Sequence, residues 1–76
     1  MAVHSLFLSK LKTEQRRELE DRLHALRSGK CFICEQPIDL DLQRDDLEID
    51  HIVPVAREGK DEENNFALTH AQCNRT

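Results

Sequence analysis

The sequence predicts a small α+β fold, in which a helix precedes two short strands and a final short helix. An apolar stripe at helical spacing crosses residues 13–27, and apolar and polar residues alternate at 47–50 and again at 66–68. A chain of 76 residues with 4% aromatics buries too little apolar surface to rely on its core alone. We therefore expect a further staple, such as a bound metal.

The first helix is predicted to begin at Thr13, a good N-cap residue, and to end at Ser28-Gly29. Glutamates lie early in it and Arg27 lies late, as the helix dipole favours. One apolar stripe follows the spacing i, i+4, i+7, at Leu19, Leu23 and Leu26. Residues 1–30 are accordingly predicted to form an N-terminal helical segment with a packing or linker role.

The same segment has a second interpretation, an adaptor that docks on a partner chain. An apolar run precedes the helix, at Leu6, Phe7, Leu8 and Leu11. Two histidines of this segment, His4 and His24, have no evident partners in the sequence and are predicted to lie at the surface.

Residues 31–46 are predicted to form a tight metal-binding knuckle followed by a loop. The stretch begins with Cys-Phe-Ile-Cys and continues through Pro37. Four carboxylates lie in it, at Asp39, Asp41, Asp45 and Asp46. Because nothing directs them toward one point, we expect a solvated loop rather than a second metal site.

The next stretch predicts a half-buried strand and a polar loop. Leu47 and Ile49 face one side of the strand, while the polar residues that alternate with them face the other. Pro54 ends the strand, and residues 57–64 are polar, which is typical of a loop.

A second strand and a helix are predicted to follow. Phe66 and Leu68 alternate with smaller residues, and Thr69 with Gln72 has the pattern of a capping box at a helix start. The sequence stops barely one turn into this helix, and so short a helix is marginal on its own. We therefore expect the chain to be a piece of a longer protein.

Two pairs of metal-ligating residues have the same internal spacing. Cys31 and Cys34 are separated by two residues, and so are His70 and Cys73. Together they offer the four N/S ligands that Zn²⁺ binds at a closed structural site, on which folding would depend. The alternative is a thiol redox pair of Cys31 and Cys34, but the strand–helix context of such motifs is not visible.

A second group of residues has the chemistry of phosphodiester hydrolysis, which needs a base, a cation and help for the leaving oxygen. Asp50 and His51 put an oxygen ligand beside an imidazole at a strand end. Their side chains diverge on an extended chain, so one can hold a metal while the other faces water. Asn74 follows the zinc ligand Cys73 directly and adds a second oxygen. Oxygen ligands favour Mg²⁺ or Mn²⁺.

These residues resemble the HNH endonucleases. The resemblance covers residues 31–76 and rests, beyond the knuckle, on Asp-His-Ile-Val-Pro (50–54), Arg57, Gly59, Asn65 and Ala-Leu-Thr-His-Ala-Gln-Cys-Asn-Arg (67–75). It implies a ββα-metal (His-Me finger) fold, in which a hairpin and a helix hold one divalent cation. It also implies cleavage of DNA that leaves a 5′-phosphate and a 3′-hydroxyl.

The resemblance further implies a role for each matching position. In the catalytic group, His51 is the general base, and Asn65 is the middle Asn, whose side chain bridges the loop backbone and orients the base. Asp50 and Asn74 are ligands of the catalytic Mg²⁺ or Mn²⁺, and Arg57 is a basic loop residue placed to meet a phosphate. The structural zinc positions are Cys31, Cys34, His70 and Cys73.

The chain departs from the family's commonest pattern in three respects. Asn74 stands where the last His of the motif is expected, so the motif reads H-N-N, a variant that the family tolerates. His70 stands at a zinc position where Cys is commoner, and it remains a good zinc ligand. After Arg75, the further basic helix residues that would be expected are missing from the sequence.

The favoured interpretation is therefore a nuclease domain at residues 31–76 that acts on double-stranded DNA, with other domains or subunits for targeting. No signal peptide or membrane span is evident, which favours a cytoplasmic protein, and restriction or phage defence is the expected role. A net charge of −4 is unusual for a DNA binder and favours the alternative, a non-catalytic zinc module for protein or nucleic-acid binding. Against that alternative, a zinc scaffold needs none of Asp50, His51 and Asn74.

Overall fold

Four short helices and a two-stranded hairpin make up the part of the chain that the computed structural model describes, residues 5–74. The helices are α1 (Leu6–Ser9), α2 (Thr13–Leu26), α3 (Leu40–Gln43) and α4 (Ala71–Asn74). The strands are β1 (Leu47–His51) and β2 (Phe66–His70). Short 3-10 turns lie at Arg44–Asp46, Val55–Arg57 and Glu63–Asn65. The predicted small α+β fold is confirmed, and its hairpin and following helix are consistent with the ββα-metal fold.

Helix α2 confirms the predicted N-terminal helix but begins and packs slightly differently. Its N-cap is Lys12 rather than Thr13, and the Gln15 side chain accepts a hydrogen bond from the Lys12 N–H at 2.9 Å. Leu19 and Leu23 are buried, whereas Leu26 is 73% exposed. At about 1.5 Å per residue, Leu26 lies roughly 10 Å beyond Leu19 along the axis, and it is the last residue of the helix.

The end of α2 lies where the sequence predicts it. Ser28 and Gly29 have positive φ angles of 54° and 73°, and the Gly29 N–H donates to the His24 carbonyl at 2.8 Å. His24 is not the partnerless surface residue that was expected, because its Nε2 lies 2.9 Å from the Ile38 carbonyl. Its imidazole also lies against Gly29, where a Cβ would come within 2.9 Å of the ring. His4 lies outside the described residues.

The two strands pair antiparallel, from Leu47 opposite His70 to His51 opposite Phe66. One face of the hairpin joins Leu19 and Leu23 of α2 in the core, through Leu47, Ile49, Phe66 and Leu68. β1 is half-buried, as predicted. β2 is buried on both faces, because α4 contacts the hairpin while Ala67 and Thr69 are also shielded from solvent.

Thr69 belongs to the strand rather than to a helix cap. β2 continues to His70, and α4 begins at Ala71. The Thr69 hydroxyl donates across the hairpin to the Glu48 carbonyl at 3.3 Å, and the residue is fully buried. The predicted capping box of Thr69 and Gln72 is therefore wrong, since the hydroxyl is used between the strands.

The acidic segment is more regular than the loop that was predicted. Asp39 caps α3, and its Oδ1 accepts from the N–H groups of Asp41 at 2.9 Å and Leu42 at 3.2 Å. A short acidic side chain is a favoured N-cap, and this explains the extra helix. Among residues 5–74, the metal-ligating cluster that is found does not include the four carboxylates of this segment. None of the described helices is long and apolar enough to cross a bilayer.

Candidate metal centre and catalytic hairpin

The knuckle is a tight turn that the backbone closes at both ends. The Glu35 N–H donates to the Cys31 carbonyl at 3.0 Å, and the Cys31 N–H donates to the Gln36 carbonyl at 2.9 Å. The Phe32 N–H donates to the Leu68 carbonyl at 3.0 Å. This last bond ties the knuckle to β2, close to the second pair of ligands.

The four predicted zinc ligands meet at one point. The ligand atoms of Cys31, Cys34, His70 and Cys73 all lie within 4.8 Å of one another. His70 Nδ1 lies 3.4 Å from Cys34 Sγ and 3.9 Å from Cys73 Sγ. A tetrahedral zinc with Zn–S near 2.3 Å and Zn–N near 2.0 Å would separate neighbouring donors by roughly 3.5–3.8 Å. The cluster therefore fits one Zn²⁺, and His70 and Cys73 are not incidental to the cysteine pair.

The protonation chemistry of the cluster also suits a cation. Burial opposes ionisation of Cys31, but the N–H groups of Cys34, His70 and Ile33 outweigh it and lower the pKa of this thiol to about 6. Burial, followed by the neighbouring thiols of Cys34 and Cys31, raises the pKa of Cys73 to about 11. Adjacent thiolates repel one another, and a divalent cation among them would relieve that repulsion.

Asp50 lies on the face of the hairpin that carries Thr69, and Asn74 of α4 is hydrogen-bonded to Thr69. Cross-strand partners share a face, so Asp50 lies on the same face as its partner Ala67 and as Thr69. Asn74 Nδ2 donates to Thr69 Oγ1 at 3.4 Å, which leaves Asn74 Oδ1 for a ligand. Asp50 Oδ1 accepts the backbone N–H of His51 at 2.9 Å. A carboxylate and an amide oxygen are donors that Mg²⁺ or Mn²⁺ accepts.

His51 points to the opposite face from Asp50, as expected for neighbours on a strand. Its ring meets the Phe66 ring edge-on, with centroids 5.2 Å apart and planes at 69°. Its Nε2 lies 2.9 Å from Asp61 Oδ1. The side chain is only 8% exposed, so the expectation that it faces water is wrong. The physical reason is that Phe66 and Asp61 both pack against the imidazole.

Asp61 is a partner of His51 that the sequence did not indicate. Its Oδ1 also accepts the Ser5 hydroxyl at 2.5 Å, and its Oδ2 accepts the Phe7 N–H at 3.0 Å. The bond from Ser5, then those from Phe7 and His51, lower the pKa of Asp61 to about 2. Ser5 and Phe7 precede Asp61 by 56 and 54 positions, and no local spacing pattern could have revealed these contacts.

Asn65 bridges the loop that leaves His51. Its Oδ1 accepts the Val53 N–H at 2.9 Å, and its Nδ2 donates to the carbonyls of Val53 at 2.9 Å and Lys60 at 2.8 Å. Gly59 completes the closure, because a Cβ there would lie 1.8 Å from the Val53 carbonyl oxygen. Arg57 lies exposed in the turn Val55–Arg57 of this loop.

Replacing Asn65 with alanine is expected to loosen this loop. Three hydrogen bonds disappear, and since the site is open to solvent we expect a loss of about 1–2 kcal/mol in the free energy of unfolding. The Val53 amide should also exchange its hydrogen faster. Asn64→Ala is the matched control, because Asn64 is the exposed neighbour and should change stability by less than about 0.5 kcal/mol. Equal behaviour of the two variants would contradict the bridging role.

The chain was compared with models of known protein families. A family model described as HNH endonuclease matches residues 31–76, more than half of the chain. No curated protein and no solved structure matches. The matched residues include the hairpin, α4 and the whole Cys/His cluster, whereas α1 and α2 precede them. The chain belongs to the HNH endonuclease family.

Proposed function

We propose that the chain is a metal-dependent endonuclease that hydrolyses phosphodiester bonds of double-stranded DNA. The observation that carries this proposal is the arrangement at the end of β1. Asp50 lies on the hairpin face of Thr69, to which Asn74 is hydrogen-bonded, and the adjacent His51 diverges to the other face with one ring nitrogen bonded to a carboxylate. An imidazole oriented by a carboxylate can act as a general base, and two oxygen donors can hold a divalent cation. Metal-assisted hydrolysis needs both. Family membership supports a nuclease on independent grounds.

In this proposal His51 is the general base that takes the proton of the attacking water. Nε2 faces Asp61, so Nδ1 is the nitrogen that accepts that proton. Asp50 and Asn74 would hold Mg²⁺ or Mn²⁺, which supplies positive charge against the scissile phosphate and its leaving oxygen. Asn65 positions the loop that follows the base, through its bonds to Val53 and Lys60.

The remaining assignments concern the scaffold and the substrate. Zn²⁺ at the Cys/His cluster would hold α4 in place, and Asn74 follows the ligand Cys73 directly. Arg57 is proposed to contact a phosphate, because it is exposed on the loop that leaves His51. Residues 31–76 would act as the nuclease domain after an N-terminal segment at 1–30. Targeting would come from other domains or subunits, and the cytoplasm would keep the zinc thiols reduced.

A second candidate is a non-catalytic zinc module, and two observations favour it. The proposed base is only 8% exposed. The chain carries a net charge of −4. Among the described residues, three arginines pair with carboxylates: Arg16 with Glu20, Arg22 with Glu63, and Arg44 with Glu20 and Asp21. Such a surface is poorly suited to neutralising phosphate. This candidate predicts zinc binding and intact DNA at every concentration of added cation.

Supercoiled plasmid distinguishes the two candidates. Zinc-loaded chain with added Mg²⁺ or Mn²⁺ is expected to nick and linearise the plasmid, leaving 5′-phosphate ends, and to leave it intact without added cation. Asp50→Asn should abolish most of the cutting, because it weakens the cation site. Asp46→Asn is the matched control, since Asp46 is exposed and lies before β1. Plasmid that stays intact with both cations, at normal zinc content, would favour the zinc module.

A further inference from the structure

A single carboxylate connects the proposed base to the segment that precedes the family match. Asp61 Oδ1 contacts both His51 Nε2 and the Ser5 hydroxyl, and Asp61 Oδ2 accepts the Phe7 N–H. Ser5 is buried and is also the N-cap of α1, where its Oγ accepts the Leu8 N–H at 3.0 Å. Both carboxylate oxygens of Asp61 are therefore hydrogen-bonded, and Ser5 Oγ both donates and accepts.

We propose that Asp61 is a positioning residue for His51, that it holds the imidazole in the Nε2–H tautomer, and that Ser5 and Phe7 keep its carboxylate in place. The role for catalysis rests on the nuclease function proposed above, whereas the tautomer does not. Residues before position 31 would thus belong to the working site, although the family match begins at Cys31.

The tautomer follows from counting donors. A carboxylate only accepts hydrogen bonds, so the His51 nitrogen that faces Asp61 must carry a proton. The pKa of Asp61 is lowered to about 2 by Ser5, Phe7 and His51, so the group is ionised near neutral pH. With the proton on Nε2, the lone pair of the neutral ring is on Nδ1, and this nitrogen can act as the base.

The ring is also held by packing. Phe66 meets the His51 imidazole edge-on at 5.2 Å, and Phe7 meets Phe66 edge-on at 5.4 Å between centroids. Phe7 thus supports the base from both sides, through its ring on Phe66 and through its N–H on Asp61. A positioned base needs such double support, because small displacements of a reacting group reduce rates strongly.

Asp61 is not the only tie between its loop and the N-terminal segment. Glu63, two residues later, accepts two hydrogen bonds from Arg22 of α2, each at 2.9 Å. Glu63 therefore provides a matched control, a carboxylate on the same loop that anchors it to a helix without touching His51. If Asp61 acted only by anchoring its loop to the N-terminal segment, Glu63→Gln should have the same effect as the Asp61 variant.

The critical variant is Asp61→Asn, because the Phe7 N–H can only donate. The new amide must turn its oxygen toward Phe7 and its NH₂ toward His51. His51 Nε2 then has to accept a hydrogen bond, and its proton moves to Nδ1. We expect ¹⁵N NMR at the high-pH limit to show the Nε2–H tautomer in the unsubstituted chain and the Nδ1–H tautomer in this variant. His51 signals are identified by their absence in His51→Ala, and Glu63→Gln should keep the original tautomer.

Cleavage kinetics give the second measurement. Asp61→Asn is expected to lower kcat with KM nearly unchanged, by no more than the about 10²–10⁴-fold that a general base contributes. In a His51→Ala background the same substitution should have no further effect, because Asp61 acts through His51. Glu63→Gln should leave kcat within twofold.

The outcomes separate this inference from the nuclease proposal. An Nδ1–H tautomer in the unsubstituted chain overturns the inference even if Asp61→Asn fails to fold. So does an additional rate loss from Asp61→Asn in the His51→Ala background, since that marks a structural role. Chain that cuts no DNA but shows both expected tautomers would overturn the nuclease function and leave the positioning of His51 supported.

Discussion

His51→Ala is expected to reduce cleavage of plasmid DNA by about 10²–10⁴-fold at saturating Mg²⁺ or Mn²⁺, while cation and zinc binding persist. The variant removes the imidazole at the end of β1, and with it the nitrogen proposed to take the proton from water. Asp50 and Asn74 lie on the other face and keep their oxygens, so the cation should still bind. The measurement is the nicking rate per zinc-loaded molecule.

A loss of fold must be separated from this loss of chemistry, because the His51 ring packs against Phe66. His24→Ala is the matched control. His24 is also partly buried and also hydrogen-bonded, to the Ile38 carbonyl, but it lies in α2. We expect His24→Ala to lower stability and to keep the cleavage rate per folded molecule. Equal cutting by His51→Ala and unsubstituted chain would remove His51 from the mechanism.

Zinc removal is expected to abolish cooperative thermal unfolding. The buried core of the described residues is small, and it includes the ligand Cys31 beside Phe66 and Leu68. Apparent zinc-binding energies in small zinc domains are about 10–16 kcal/mol, as large as the whole stability of a typical domain. Without the ion, the ligand atoms of three cysteines and one histidine would lie within 4.8 Å of one another with no cation to bind them together. Circular dichroism with a strong chelator measures the effect.

Two controls identify the metal and the ligands in this experiment. Returning zinc should restore the transition, whereas Mg²⁺ should not, because a sulfur-rich site is soft. Cys31→Ser should behave like the chelated chain even with zinc present, since Cys31 is buried in the core and supplies one of the four ligands. A transition that a chelator leaves unmoved would disprove a structural zinc.

The parts of the fold that were predicted correctly are those that depend on the spacing of residues close together in the sequence. Each pair of zinc ligands has two intervening residues, and such a pair grips one ion from a single turn. The strand at Leu47–His51 follows from a two-residue alternation, which leaves one face buried. The zinc-ligand pairs and the strand could both be predicted without knowing the rest of the structure, because each depends only on residues near one another in the sequence.

The incorrect predictions share a different cause. Thr69 has the pattern of a cap, but its hydroxyl bonds to Glu48 on the other strand. Leu26 continues an apolar stripe, but at the last residue of α2 it is left 73% exposed. His24 found its partner at Ile38, 14 positions later. For each of these three residues, the tertiary environment decides the outcome, and the pattern of neighbouring residues in the sequence does not reveal that environment.

For the proposed active site too, some features could be predicted from the sequence and others depend on tertiary contacts. The residue types at Asp50, His51 and Asn74 could be selected from the sequence, because metal ligation and proton transfer need particular side chains, whereas Asn65 was selected by the family resemblance. The environment of His51 could not, since it is set by Asp61 and by Ser5, which meet only after the N-terminal segment folds over the loop. Residue identity and short spacings therefore indicate the chemistry of the site. The orientation and shielding of His51 instead arise from tertiary contacts, with Phe66 and Asp61 directly and, through Asp61, with Ser5 and Phe7 more than fifty positions away.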